Sequence, residues 1–195
     1  MHPPTIRLHL FRHPAPLVTP GICYGKTDLA VTPQAAEQLA QQIRQQFSEG
    51  LPVYSSPLRR CFDVAKLCHA APRSDARLME MHFGSWEMQP WEQIPMADTD
   101  AWANDLPHYR PGGGENLLML IARLRRFLTE LQTAQTDEVI VVCHGGVMRV
   151  FSQWLPAGSD LQIAQRIERE WQTLQTTAYG AYRFAAIGTA ADNLL

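Results

Sequence analysis

Polar and apolar positions alternate from Thr5 and then run apolar to Phe11, the pattern of a strand in the middle of a sheet. The run ends in Arg12 and His13, and Pro14 follows at once. In "TPQAAEQLAQQIRQQF" the period changes: Ala36, Leu39, Ala40, Ile43 and Phe47 share one helical face. Thr32 is placed to cap that helix, Pro33 suits its first position, and Gly50 is expected to close it. "LPVYSS" predicts a short strand after Pro52. A second helix is expected over about Pro57 to His69, with Pro57, Arg59 and Arg60 in its first turn.

Periodicity fades from Met81 to Gly114, where Trp, Pro, Gly and Met accumulate. That stretch is expected to be an irregular excursion with a short helix near Trp91, lying as a lid over a pocket. It is not a linker, because Trp86, Trp91 and Trp102 are costly to leave in water. "GENLLMLIARLRRFLTEL" restores a strong helix. "DEVIVVCHGGVMRVFSQWL" reads as a fully apolar strand, a two-glycine turn and another helix, "AYGAYRFAAI" as a last strand, and "GTAADNLL" as a loose tail. Strands alternating with helices predict an α/β fold of three layers, α/β/α. Its central sheet is mostly parallel with helices on both faces, and residues 1–195 form a single domain with an irregular insertion at about 81–114.

Composition narrows the class. Apolar residues at 46% are ample for a core, and charged residues at 18% are too few for a disordered chain. A formal charge of −2 argues against general nucleic-acid binding. The four cysteines, Cys23, Cys61, Cys68 and Cys143, form no C-x-x-C pair and are expected to be reduced and mostly buried. "MHPPTIRLHLF" lacks the charged region and long apolar segment of a signal peptide, and no apolar run approaches the roughly 20 residues of a membrane span. A cytoplasmic protein with no nucleic-acid or membrane partner is the expectation; nothing in the sequence calls for a homo-oligomer.

Chemistry concentrates at the strand ends. "LFRH" and "VVCHGG" each carry an apolar strand into a histidine, and sites in open α/β sheets form where strands end. His13 and His144 can therefore meet although 131 positions separate them. In "SSPLRRC" a strand passes into a helix whose N-terminus attracts anions, and an arginine there adds planar, bidentate donors for phosphate oxygens. "LMEMHFGSWE" supplies Glu80 beside apolar surface, where a carboxyl group can keep its proton; Glu87 and Glu92 are rivals that position alone does not separate. Together, Arg12, His13, Arg60, Glu80 and His144 suit phosphoryl transfer: positive charge around the phosphoryl oxygens, an imidazole nucleophile and a proton donor for the leaving oxygen. No H-x-H, H-E-x-x-H or aspartate cluster offers to hold a metal, so neither metal nor other cofactor is expected.

Four blocks in order, "LFRHP", "SSPLRRCFDVA", "LMEMHFGSWE" and "VVCHGGVMR", resemble the histidine phosphatase superfamily, which includes the cofactor-dependent phosphoglycerate mutases. The resemblance spans nearly the whole chain. It implies that His13 is the phosphorylated nucleophile and Glu80 the general acid, later the base that activates water. It also implies that Arg12, Arg60 and His144 bind the phosphoryl group. The family's R-A-x-x-T-A pattern aligns its arginine with Arg60 and leaves Arg59 as a neighbour.

"PGICYGKTDLAVT" and "PGGGENLLMLIARLRRFL" are most similar to α-ribazole phosphatases within that superfamily, which implies a phosphomonoesterase acting on α-ribazole 5′-phosphate in cobalamin nucleotide-loop assembly. By the same resemblance Tyr24 and Asp28 face the substrate, and Glu115 either contacts polar substrate groups or serves as a carboxylate at a helix N-terminus.

The chain departs from the pattern at Pro14, where most members carry glycine. The backbone N–H is lost there and the carbonyl remains to orient His13. The threonine and asparagine that often come next are missing from "PAPLVTP", and Asn116 replaces a usual serine. A broader sugar or amino-acid phosphatase is the alternative. A mutase fits less well because this chain lacks the longer insertion after the Glu block. A non-catalytic phospholigand-binding module would need neither nucleophile nor acid.

Overall fold

A computed structural model describes residues 5–47, 50–171 and 177–188. Five strands form one sheet in the order β3-β2-β4-β1-β5: β1 Thr5–Arg12, β2 Val53–Ser55, β3 Arg73–Ser74, β4 Glu138–Cys143 and β5 Tyr182–Gly188. β1–β4, β4–β2 and β2–β3 are parallel, and β5 alone runs antiparallel, against β1. The mostly parallel α/β fold is thus the one the alternating elements predict.

Side chains on successive β1 positions part to opposite layers, as the pleat requires. Ile6, Leu8 and Leu10 join Val139, Val141 and Cys143 against α4 Leu117–Thr133, α5 Gly145–Ser152 and α6 Asp160–Arg169. Phe11, Ile140 and Val142 turn the other way, into a core built with α1 Pro33–Gln46 and α2 Arg59–Cys68. These two cores give the three layers. Strand register places the candidate residues: Arg12 pairs with Cys143 and Ser55 with Val142. The next residues, His13, His144 and Ser56, therefore leave the sheet at one edge.

Several expectations change in detail. Thr32 caps α1 through Ala35 N–H, but the helix closes at Phe47 in an extended conformation (φ −129°, ψ 140°), and Gly50 lies beyond it at φ +123°. α2 starts at Arg59, leaving Pro57 outside. The excursion holds more helix than expected: a 3-10 turn at Trp91–Gln93 and then α3 Met96–Asn104. Trp86 is buried there with Cys23 and Ile94, whereas Trp91 stays 38% exposed. The two-residue β3 and α6 were not expected; the latter begins with a capping box between Ser159 and Gln162. Residues 189–195 of the predicted loose tail fall outside the described residues. Among those described, no helix is long and apolar enough to cross a membrane. Cys23, Cys61 and Cys143 are buried free thiols, and Cys68 is partly buried.

Candidate active site

The strand end fixes the first histidine. His13 N–H donates to Cys143 O at 3.0 Å, prolonging the β1–β4 ladder by one residue, and its ring Nδ1 lies 2.6 Å from Pro14 O. A carbonyl only accepts, so Nδ1 carries the ring proton and Nε2 keeps a bare lone pair. Burial, then the Arg60 charge, lowers the His13 pKa to about 3 despite the Pro14 hydrogen bond. The ring is thus a neutral imidazole with its nucleophilic nitrogen unprotonated. Proline at this turn thus keeps the carbonyl that orients the ring.

His144 packs edge-on to His13, with ring centroids 5.0 Å apart. Arg60 Nε donates to its Nδ1 at 3.3 Å, so Nε2 holds the proton and donates to Ser56 Oγ at 2.8 Å. Complete burial, then the charge of Arg60, keeps His144 neutral as well.

Arg60 is wholly buried and held by main-chain carbonyls, Gly25 O at 2.5 Å and Thr27 O at 2.7 Å. Both belong to "YGKTD", and each residue of that strap is tied down. Tyr24 hydroxyl bonds to Tyr179 hydroxyl, and Lys26 N–H and Thr27 N–H donate to the Glu87 carboxylate at 3.0 and 2.7 Å. Asp28 accepts from Arg59 N–H at 2.7 Å, filling the α2 N-terminus. Gly25 is required for close approach, since a Cβ there would lie 2.0 Å from Met81 O. Asp28 is therefore a helix cap rather than a residue of the cavity wall. The α2 N-terminus is occupied by that carboxylate, and the Arg59 guanidinium lies out at the surface toward Asp63.

Of the three candidate acids, Glu80 reaches the cavity. Its carboxylate accepts from Gly146 N–H at 3.0 Å, in the first turn of α5, and from Met81 N–H at 3.0 Å. Glu87 also accepts from Phe83 N–H and Thr27 hydroxyl. Burial pushes its pKa up, but these donors outweigh it and hold the group below the usual carboxylate range. Glu92 is exposed on the surface. Glu115 accepts from His82 N–H at 3.0 Å and from both Arg123 Nε and Nη2 at 3.1 Å. Arg123 in turn donates to the carbonyls of Met79 and Glu80, so Glu115 serves the backbone beneath the acid and is not on the cavity wall.

Arg12, His13, Tyr24 and Glu80 line one cavity of about 600 Å³. Arg60 and His144, both wholly buried, adjoin it through His13. Arg12 donates to Thr177 O, while its buried Nε has no partner among the described residues. Two residues of this wall that bear on the chemistry were not singled out from the sequence. Tyr179 lies under the Arg12 guanidinium, 4.1 Å from its carbon to the ring centroid, next to Gly180, whose N–H donates to Arg12 O at 3.1 Å. Arg149 stands one helical turn after Gly145, a spacing that could have flagged it. Among the described residues, no cluster of three or more His, Cys, Asp or Glu is arranged to hold a metal.

Known proteins share this fold. The model of the histidine phosphatase superfamily (branch 1) matches residues 8–187. An adenosylcobalamin/alpha-ribazole phosphatase of Escherichia coli is 36% identical over 75 residues, 36% of this chain and 37% of that one, so the match spans little more than a third of either. A putative phosphoserine phosphatase 2 of Hydrogenobacter thermophilus is 28% identical over 152 residues, 73% of this chain and 74% of its own. The structure of a mycobacterial glucosyl-3-phosphoglycerate phosphatase with VO3 superposes with a TM-score of 0.74 at 24% identity, over 96% of this chain and 100% of that one, a likeness of fold.

Proposed function

This chain belongs to the histidine phosphatase superfamily, and on that footing we propose that it is a metal-independent phosphomonoesterase working through a phosphohistidine. The observation that carries this reading is His13, neutral, with Nδ1 fixed on Pro14 O and Nε2 bare on a cavity wall shared with Glu80. In the first step Nε2 attacks phosphorus in line, the bond from phosphorus to the alcohol oxygen breaks, and the Glu80 carboxyl gives that oxygen its proton. In the second, the Glu80 carboxylate takes a proton from water as the water oxygen displaces Nε2 from phosphorus. Inorganic phosphate leaves and both residues are restored.

Arg12 supplies donors to the phosphoryl oxygens, and its unpartnered Nε supports that role. Arg60 and His144 act from the adjoining layer, Arg60 by holding His13 unprotonated and by its positive charge. Acid-labile labelling of the protein by substrate in excess chelator tests the chemistry. His13→Ala should abolish the label, and labelling that survives in that variant would refute the nucleophile.

The finer proposal is α-ribazole 5′-phosphate as the preferred ester, supported by the local match to the E. coli enzyme. Phosphoserine is the second reading, because the H. thermophilus relative aligns over twice the share of this chain. A kcat/KM comparison of the two esters decides between them, and a preference for phosphoserine removes the first.

A further inference from the structure

The cavity at His13 is much larger than a phosphoryl group needs, and at about 600 Å³ it lies in the range that encloses a drug-sized molecule. Beyond the reacting groups its wall is mostly apolar and includes a cluster of aromatic rings. Phe83, Trp91, Trp102 and Trp171 all line it, backed by Leu106 and Leu117. Their rings form a frame of planes nearly at right angles. Trp91 and Trp102 lie within 10° of parallel at 6.2 Å, while Phe83 meets them edge-on at 5.8 and 5.7 Å. Trp171 meets Trp102 at 73° and 5.5 Å. Trp91 is 38% exposed, so the frame presents apolar ring surface that a ligand could cover.

We propose that this frame is the subsite for the alcohol portion of the substrate, and that it selects phosphate monoesters whose alcohol carries a flat, uncharged aromatic ring system. The proposal rests on the phosphomonoesterase reading above but requires no particular ester. A ring in that space can stack on one indole while meeting another edge-on, the two arrangements aromatic pairs favour. A sugar with no ring attached, or the charges of an amino acid, would instead surrender water to indole faces that return no hydrogen bond.

The test compares 2-(1-naphthyl)ethyl phosphate with ethyl phosphate, two esters of primary alcohols, so that leaving-group chemistry is closely matched and ring recognition is what differs. Burying the naphthyl group should raise kcat/KM on the order of 10²-fold over ethyl phosphate, expressed mainly in KM. Trp91→Ala should narrow that ratio by about 10-fold, and Trp102→Leu, which keeps an apolar side chain in the frame, should narrow it too. Equal kcat/KM for the two esters, with acid-labile phosphoenzyme formed from both, would overturn the ring subsite and leave the phosphatase standing. A ratio that both variants leave unchanged would do the same. No turnover and no label from either ester would overturn the phosphatase reading, and the subsite with it.

Discussion

A single methyl group offers the sharpest test of the proton donor. Gly146 is the second residue of α5, and a Cβ built there would lie 2.3 Å from Glu80 Oε1 and 3.2 Å from its Cδ. Ordinary contact begins at 3.4 Å, so Gly146→Ala must push that oxygen away by about 1.1 Å. The obstructing atom is the end of a flexible side chain and Gly146 is helical, so the helix itself should tolerate alanine and even gain a little propensity. A displacement of about 1 Å in a reacting group can cost on the order of 10²-fold in rate.

The expected outcome is a fall in kcat of about 10²-fold with stability changed by less than about 1 kcal/mol. Steady-state hydrolysis and urea unfolding of the same preparation measure both quantities. The decisive step is a double-mutant cycle. Glu80→Gln alone should slow hydrolysis by about 10²–10⁴-fold, and adding Gly146→Ala to it should cost little more, because the displaced acid is already absent. Multiplicative losses in the double variant would show that Gly146 acts elsewhere, and the role given to Glu80 would fall.

The geometry carries three further expectations. His13 and His144 are both held neutral in the folded state while their unfolded pKa is near 6.5, so the unfolded chain binds more protons below that value and stability falls with falling pH. From pH 7 to pH 5 each should cost about 2 kcal/mol in urea unfolding, and His13→Asn should remove about half of the combined loss; an unchanged slope would contradict the buried neutral rings. Glu87→Gln replaces an acceptor of four hydrogen bonds by an amide with one oxygen, so it should lower stability by about 2–3 kcal/mol, and kcat measured below the melting range should keep its pH profile. Pro14→Gly keeps the carbonyl that holds Nδ1, so phosphoenzyme formation should stay within a few-fold of the parent in rapid-quench measurements.

Much of this arrangement is legible in the sequence because its signals are local. The period of apolar residues marks β1, α1, α4 and β4, and the strand-end histidines stand where those runs stop. Partners far apart in sequence are not legible. Asp28 and Arg59 meet 31 positions apart, and Glu115 meets His82 at 33, so the sequence does not show that each of these carboxylates accepts from a distant backbone N–H. Position likewise leaves Glu80, Glu87 and Glu92 open, because only tertiary packing shows which carboxylate the backbone has already claimed. Ser159 and Gln162 do announce α6, a local signal that the apolar pattern alone misses.

Arg60 brings a full positive charge into the interior, yet among the described residues its hydrogen bonds go only to carbonyls and a neutral imidazole, and no carboxylate pairs with it. A dianion bound in the adjoining cavity would feel that charge. Free phosphate, the end product of the proposed hydrolysis, should act as a folding ligand, adding about 2.7 kcal/mol at a hundred times its dissociation constant. The same pull must slow the departure of that ion, so ambient phosphate would govern both how long the molecule survives and how fast it cycles.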